Sequence, residues 1–222
     1  MAKMRLFGEP GWGSVIVEAQ LDWYGMEFDF ERVGDLFKST QGKSTEGKSA
    51  ESRERLAAVN PLAQIPTLVL ADGAVLTESA AITLYLAELV GADSLVPRAG
   101  DAARGPFLRW LLYFVTNVYP TYTYGDDPAR FVDGEEAQRS FGEHVDAYRK
   151  KLYSVLEGAA GAPWFLGLRF SALDIYVRAM SRWRPRREWF AANAPRLAAI
   201  ADRTQDLPQL AACWRRNTPP GS

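Results

Sequence analysis

The chain has 222 residues, 47% hydrophobic and 12% aromatic, with 26 Lys and Arg against 27 Asp and Glu for a net charge of −1. That length and apolar content suit two modest domains with true cores, and the charge balance removes the electrostatic case for nucleic acid or an anionic membrane as main partner. One cysteine, Cys213, rules out an internal disulfide framework, and one histidine, His144, rules out a multi-histidine metal site.

The opening Met-Ala-Lys-Met-Arg-Leu-Phe-Gly-Glu-Pro lacks the apolar core of a signal peptide, and no segment approaches a membrane span, so a soluble, cytoplasmic protein is expected. Met4 to Phe7 reads as a short strand ended by Gly8-Glu9-Pro10-Gly11. Ser14 is placed to cap a helix from Val15 to Tyr24 that Gly25 stops. Phe28 to Val33 alternates as a second strand, and Leu56-Ala57-Ala58-Val59 ends another helix.

Between them, Gly42-Lys43-Ser44-Thr45-Glu46-Gly47-Lys48-Ser49 matches the phosphate-loop pattern letter for letter. It arises from a repeat of Lys38-Ser39-Thr40-Gln41-Gly42 as Lys43-Ser44-Thr45-Glu46-Gly47. No buried strand leads into it and no long apolar helix follows, so it is read as a flexible loop. Residues 38–49 are expected to act as a lid over whatever the next segment binds.

The most informative stretch runs from Asn60-Pro61-Leu62-Ala63-Gln64-Ile65-Pro66-Thr67-Leu68 to Leu76-Thr77-Glu78-Ser79-Ala80-Ala81-Ile82. Thr67 to Ala71 and Ala74 to Thr77 are short apolar runs joined by Asp72-Gly73, a preferred hairpin turn because both residues tolerate positive φ. Pro66 lacks a ladder donor and marks a strand start, with the Ile65–Pro66 bond a cis candidate. That leaves the Ile65 backbone open to pair with something extended. Glu78-Ser79 opens a helix whose positive end favours a bound carboxylate.

These residues resemble the glutathione-binding half of the cytosolic glutathione transferases. The resemblance implies Ile65 and Pro66 as a clamp on the cysteinyl backbone of glutathione, Glu78 and Ser79 as the seat of its γ-glutamyl head, and Gln64 near its glycine end. Lysines of the 38–49 loop would then meet the glycine carboxylate. Glutathione is implied as co-substrate, with a small apolar electrophile as second substrate and a homodimer as the assembly.

The family also implies a two-domain plan. An α/β thioredoxin-like domain of order β-α-β-α-β-β-α spans residues 1–90, a linker marked by Pro97, Gly100 and Gly105 covers 91–105, and an all-α domain fills 106–222. The second half is helical in pattern. Phe107 to Val118 is nearly all apolar, and Phe141, Val145, Tyr148 and Leu152 recur at helical spacing. Ser171-Ala172-Leu173-Asp174 is a capping box variant, similar to the one that starts a core helix in this family.

In the family a Tyr, Ser or Cys near the first strand contacts the glutathione sulfur. Here the turn reads Glu9-Pro10-Gly11-Trp12-Gly13-Ser14, with glycine where the bacterial cysteine class carries its cysteine. Ser14 is the only hydroxyl. On one reading it is the catalytic ligand of the sulfur; on the other it caps its helix and backbone N–H groups hold the sulfur. A thiol of pKa ~8.5 must be lowered by ~2 units, worth about 2.7 kcal/mol, before the thiolate dominates at neutral pH. One charge-assisted hydrogen bond and a helix terminus suffice for that.

Trp12, Tyr119 and Tyr122 are expected in the electrophile pocket, with Tyr124 and Phe131 weaker choices. His144 reads as helix-edge packing, Cys213 as a small buried hydrophobe, and Arg178, Arg182, Arg184, Arg186 and Arg187 as a solvated face. The expected activity is transfer of glutathione to an electrophile, with peroxidase, disulfide-bond reductase and isomerase chemistry open to the scaffold. The alternatives are a non-catalytic interaction or ligand-carrying module and, resting on the arginines alone, a nucleic-acid-associated regulator.

Overall fold

The structure, a computed structural model, describes residues 3–34, 36 and 48–218. The expected lid, residues 38–49, lies almost wholly outside the described residues. The chain divides into two compact units, Met1–Ala92 with Gln205–Ser222, and Asp93–Thr204.

The first unit is built on a four-stranded sheet of order β2-β1-β3-β4, from β1 Met4–Gly8, β2 Phe28–Arg32, β3 Thr67–Val69 and β4 Val75–Leu76. β1 runs parallel to β2, with Met4 opposite Phe28, and antiparallel to β3, with Leu6 opposite Leu68. Successive strand side chains face opposite sides, so β1 feeds two cores. Leu6 packs with Val17 and Leu21 of α1 (Ser14–Trp23), Leu68, and Ile82 and Leu86 of α3 (Ser79–Val90). Phe7 packs with Val33 and with Leu56 of α2 (Lys48–Val59). This is the thioredoxin-like arrangement the sequence implied.

The last helix, α10 (Ala211–Arg216), belongs to this unit and not to the helical one. Its Arg216 reaches Glu18 and Asp22 on α1 at 2.6 Å each. Sequence reading kept the C-terminal stretch with the helical half because an amphipathic helix carries no record of which core it joins.

The second unit contains α4 (Arg104–Tyr113), which begins inside the stretch read as linker, then a π-helical turn Phe114–Val118, α5 (Tyr119–Asp126), α6 (Glu135–Ala159), α7 (Ala172–Met180), α8 (Arg187–Asn193) and α9 (Pro195–Gln205). Phe114 packs with Phe165 and Tyr176 in an aromatic core. The capping box stands as read: the Asp174 carboxylate accepts from Ser171 N at 2.8 Å and Phe165 N at 2.7 Å and opens α7.

The apolar face expected on α6 differs in one respect. Leu152 is buried, but Tyr148 is 51% exposed and its neighbour Arg149 is 1% exposed. Arg149 donates to Thr121 Oγ1 at 2.9 Å, Thr121 O at 2.7 Å and Asp146 Oδ1 at 3.0 Å, and lies over the Tyr122 ring at 4.4 Å. Each guanidinium nitrogen thus has an acceptor, which is what makes a buried cation tolerable. Arg149→Met is expected to cost about 2 kcal/mol, read as a lower midpoint in urea unfolding, because Thr121 O and Oγ1 lose their donors.

Candidate functional site

Both ends of the predicted glutathione motif hang on one hairpin. In β3 and β4, Leu68 faces Leu76 and Val69 faces Val75. Continued outward, that register carries Ile65-Pro66 and Glu78-Ser79 to the same open end. The turn closing the other end uses Asp72 Oδ1, which accepts from Ala74 N at 2.9 Å, and Gly73 at φ 90°.

The Ile65–Pro66 bond is cis, as its place at the strand entry suggested. Its loop is locked from within the unit. Asn60 Nδ2 donates to Gln64 O at 3.1 Å and to Thr67 Oγ1 at 2.9 Å, and Thr67 Oγ1 donates to Gln64 O at 2.8 Å. Pro66 is buried, Ile65 half-buried and the Gln64 side chain exposed. Among the described residues the backbone N–H and C=O of Ile65 make no hydrogen bond, so an extended partner would find both free. Sequence reading missed Asn60 and Thr67; the short polar pair flanking an X-Pro bond is the signal that points to them.

Glu78 precedes α3 at φ 62°, ψ 104°, a region unusual for a side-chain-bearing residue, and its carboxylate is exposed. Ser79 begins the helix, is buried, and its carbonyl accepts from Thr83 Oγ1 at 2.8 Å. An exposed carboxylate beside the positive end of a helix is a matched seat for a group that is both ammonium and carboxylate.

The first βα turn corrects the reading of Ser14. The residue is the first of α1, not its cap: Gly13 holds the N-cap position with helical dihedrals. The Ser14 hydroxyl is fully buried, donates to Glu9 O at 3.2 Å and accepts from Glu9 N at 3.1 Å. Its one proton therefore closes the turn in this structure. The approach is tight enough that a β-carbon on Gly8 would fall 2.4 Å from Ser14 Oγ. The Glu9 carboxylate is held in turn by Arg32, at 2.8 Å and 2.9 Å from Nε, and by Gly34 N at 2.9 Å. Gly11 N donates to Asn217 Oδ1 at 2.9 Å. Trp12 N and Val15 N are used by Glu9 O and Trp12 O, whereas the N–H groups of Gly13 and Ser14 take no partner among the described residues. Trp12 itself is half-buried.

Tyr119 and Tyr122 lie in the second unit. Tyr122 is 7% exposed and its hydroxyl donates to Arg184 O at 2.8 Å and meets Tyr153 Oη at 2.7 Å. Burial pushes the Tyr122 and Tyr153 phenols well above their ordinary value, so both stay protonated at neutral pH. The sequence expectation that Tyr122 lines an open pocket gives way to a network role. Tyr119 is half-buried and stands edge-on to Trp183 at 5.7 Å.

Other expectations resolve simply. Cys213 is buried, as read. His144 is exposed, with Nδ1 2.7 Å from Ser140 O one turn earlier on α6, in place of the helix-edge packing expected. Arg184 pairs with Asp126, Arg187 pairs with Asp202 and Arg178 is buried, while Arg182 and Arg186 are exposed, in keeping with a solvated face. Among the described residues no group of side chains is arranged to hold a metal ion, and no helix is long and apolar enough to cross a membrane.

Comparison with known proteins agrees with this geometry. The family model described as "Glutathione S-transferase, N-terminal domain" matches residues 17–89. The chain is 37% identical over 215 residues to the uncharacterized GST-like protein YncG of Escherichia coli K12, covering 96% of this chain and 98% of that one. The chain belongs to the glutathione S-transferase family. It is also 30% identical to glutathione S-transferase GstA of Escherichia coli O157:H7, over 93% of this chain and 95% of that one. Among solved structures, a glutathione transferase from Methylococcus capsulatus superposes with a TM-score of 0.70 at 27% identity, covering 96% of this chain and 98% of that one. A Sulfitobacter homologue crystallised with bound glutathione superposes at 0.78 and 20% identity, covering 97% and 98%, a likeness of fold.

Proposed function

We propose that this glutathione S-transferase family member binds glutathione on the open end of the β3–β4 hairpin and transfers it, as a thiolate, to an apolar electrophile. The observation that carries the reading is the hairpin register, which sets an unpaired Ile65 backbone and the Glu78-Ser79 helix start at one end. Ile65 pairs with the cysteinyl residue as an added strand, Glu78 takes the γ-glutamyl ammonium, and Ser79 with the start of α3 takes its carboxylate. Gln64, exposed beside them, meets the glycine end. Bound glutathione in the Sulfitobacter homologue is consistent with this assignment.

The sulfur then lies against the turn after β1. With the Ser14 hydroxyl committed to Glu9, the remaining donors are the N–H groups of Gly13 and Ser14 at the start of α1, whose dipole favours a thiolate. Attack by the sulfur on an electrophilic carbon forms the C–S bond and expels the leaving group, and Trp12 is the aromatic surface beside that reaction. Ser14→Ala is accordingly expected to lower the rate with an activated aryl halide less than tenfold, through a looser turn; a hydroxyl that stabilised the reacting charge directly would be worth about 100-fold or more.

A second reading follows from the same turn. Because the turn's only hydroxyl is committed to Glu9, a module that binds glutathione without chemistry is favoured if glutathione binds but its thiol titrates as it does free in solution. The experiment is the conjugation rate measured beside the ultraviolet absorbance of bound thiolate.

A further inference from the structure

The first βα turn is fastened by a residue from the far end of the chain. Asn217, 206 positions from Gly11, ends α10 and is 9% exposed. Its amide is oriented without ambiguity. Nδ2 donates to Glu18 Oε2 at 2.8 Å and to Cys213 O at 3.0 Å, which leaves Oδ1 to accept from Gly11 N at 2.9 Å. Reversing the amide would set its oxygen against a carboxylate and a carbonyl and its nitrogen against an N–H.

The anchor is itself built. Glu18 on α1 is 3% exposed, and its other oxygen accepts from Arg216 Nε at 2.6 Å. Arg216 also pairs with Asp22, so α1 and α10 are pinned one helical turn apart along α1. Gly11 adopts φ 79°, and a β-carbon there would come 3.4 Å from the Asn217 carbonyl oxygen, so the turn passes close against the C-terminal segment. Glu9 and Ser14 brace one side of the turn, and Asn217 braces the middle.

We propose that Asn217 is a positioning residue of the transferase reaction: its bond to Gly11 aims the Gly13 and Ser14 N–H groups at the glutathione sulfur. This rests on the glutathione reading above. Among the described residues Asn217 bonds Gly11, Glu18 and Cys213, none of them in the Ile65 clamp or the Glu78-Ser79 seat, so it tunes the thiol and not the grip on the tripeptide. Chemistry follows because an N–H group stabilises a thiolate only when directed at it, and a turn free to rock averages that direction away.

The test compares Asn217→Ala with Arg216→Ala in the full chain, by titrating bound glutathione through its thiolate absorbance, measuring its dissociation constant by calorimetry and recording thermal melting. Arg216→Ala removes the ion pairs that dock α10 but not the bond to Gly11. Asn217→Ala is expected to raise the apparent thiol pKa by about one unit, lowering the thiolate fraction at neutral pH by up to tenfold, while the dissociation constant changes less than about twofold. Arg216→Ala is expected to lower the melting temperature and leave the thiol where it was. Should Asn217→Ala not fold, Asn217→Ser, which ends one heavy atom short of Gly11, makes the same comparison. An unchanged thiol pKa in the Asn217 variant, or an equal shift in both, overturns the proposal; no glutathione binding by the unaltered chain overturns the functional reading beneath it.

Discussion

Asp174→Ala is expected to cost about 4 kcal/mol of folding stability at pH 5, enough to lower the melting temperature of a chain this size by roughly 8–16 °C. The carboxyl is fully buried and takes bonds from Phe165 N, Ser171 N and, at 3.2 Å, Ser171 Oγ. Its removal strands those donors where no water reaches and uncaps α7, every residue of which is buried. Burial pushes the Asp174 carboxyl up to about 7, and the hydrogen bonds oppose that rise without cancelling it.

The sign follows from proton counts. Between pH 4 and pH 7 the folded chain holds a proton at Asp174 that the unfolded chain has released, so this group's contribution to stability falls as pH rises through that window. The difference in melting temperature between wild type and Asp174→Ala should therefore be largest near pH 5 and smaller above pH 7. Paired melts at pH 5 and pH 8 check it. A gap that widens toward pH 8 would mean that the folded carboxyl is anionic throughout and held by its three donors.

How far the sequence carried depends on the range of each interaction. The capping box is legible because its parts, Ser171 and Asp174, are neighbours on the first turn of one helix. The hairpin is legible for the same reason: Asp72-Gly73 and the Pro66 strand entry act within a few residues. The capping alternative for Ser14 fails because Gly13 takes the N-cap position and the Ser14 hydroxyl, packed close against Gly8, bonds Glu9 instead. Arg149 was invisible beside an otherwise apolar stripe, since Thr121 and Tyr122, which bury it, lie on another helix and only Asp146 is a local partner. Asn217 and Glu18 meet across almost the whole chain, and no local pattern announces such a bond. What periodicity and turn chemistry reveal is local; what fastens the turn is not.

The second large effect concerns the γ-glutamyl seat. Replacing Glu78 and Ser79 together by alanine is expected to weaken glutathione binding roughly a thousandfold, about 4 kcal/mol, because hydrogen bonds to charged groups contribute about 1.5–3 kcal/mol each. The fold should survive. Glu78 is exposed, and Ser79 sits at the N-terminus of α3, where alanine keeps the helix. Circular dichroism matching wild type, beside lost binding, separates the seat from a folding defect. Each single variant should account for part of the loss, and Glu78→Gln should fall between wild type and Glu78→Ala, since an amide keeps an acceptor for the ammonium but not the charge.

The measurement that bears most directly on the account is calorimetric titration of the intact protein with glutathione, followed by the same titration of the Glu78→Ala, Ser79→Ala double variant. Saturable binding with a dissociation constant between about 10 μM and 1 mM, −7 to −4 kcal/mol, is expected for the unaltered chain, with no measurable heat from the variant. Folded wild-type protein that takes up no glutathione at millimolar concentration, or a double variant that binds it as tightly as wild type, would contradict the assignment of the hairpin's open end as the glutathione seat.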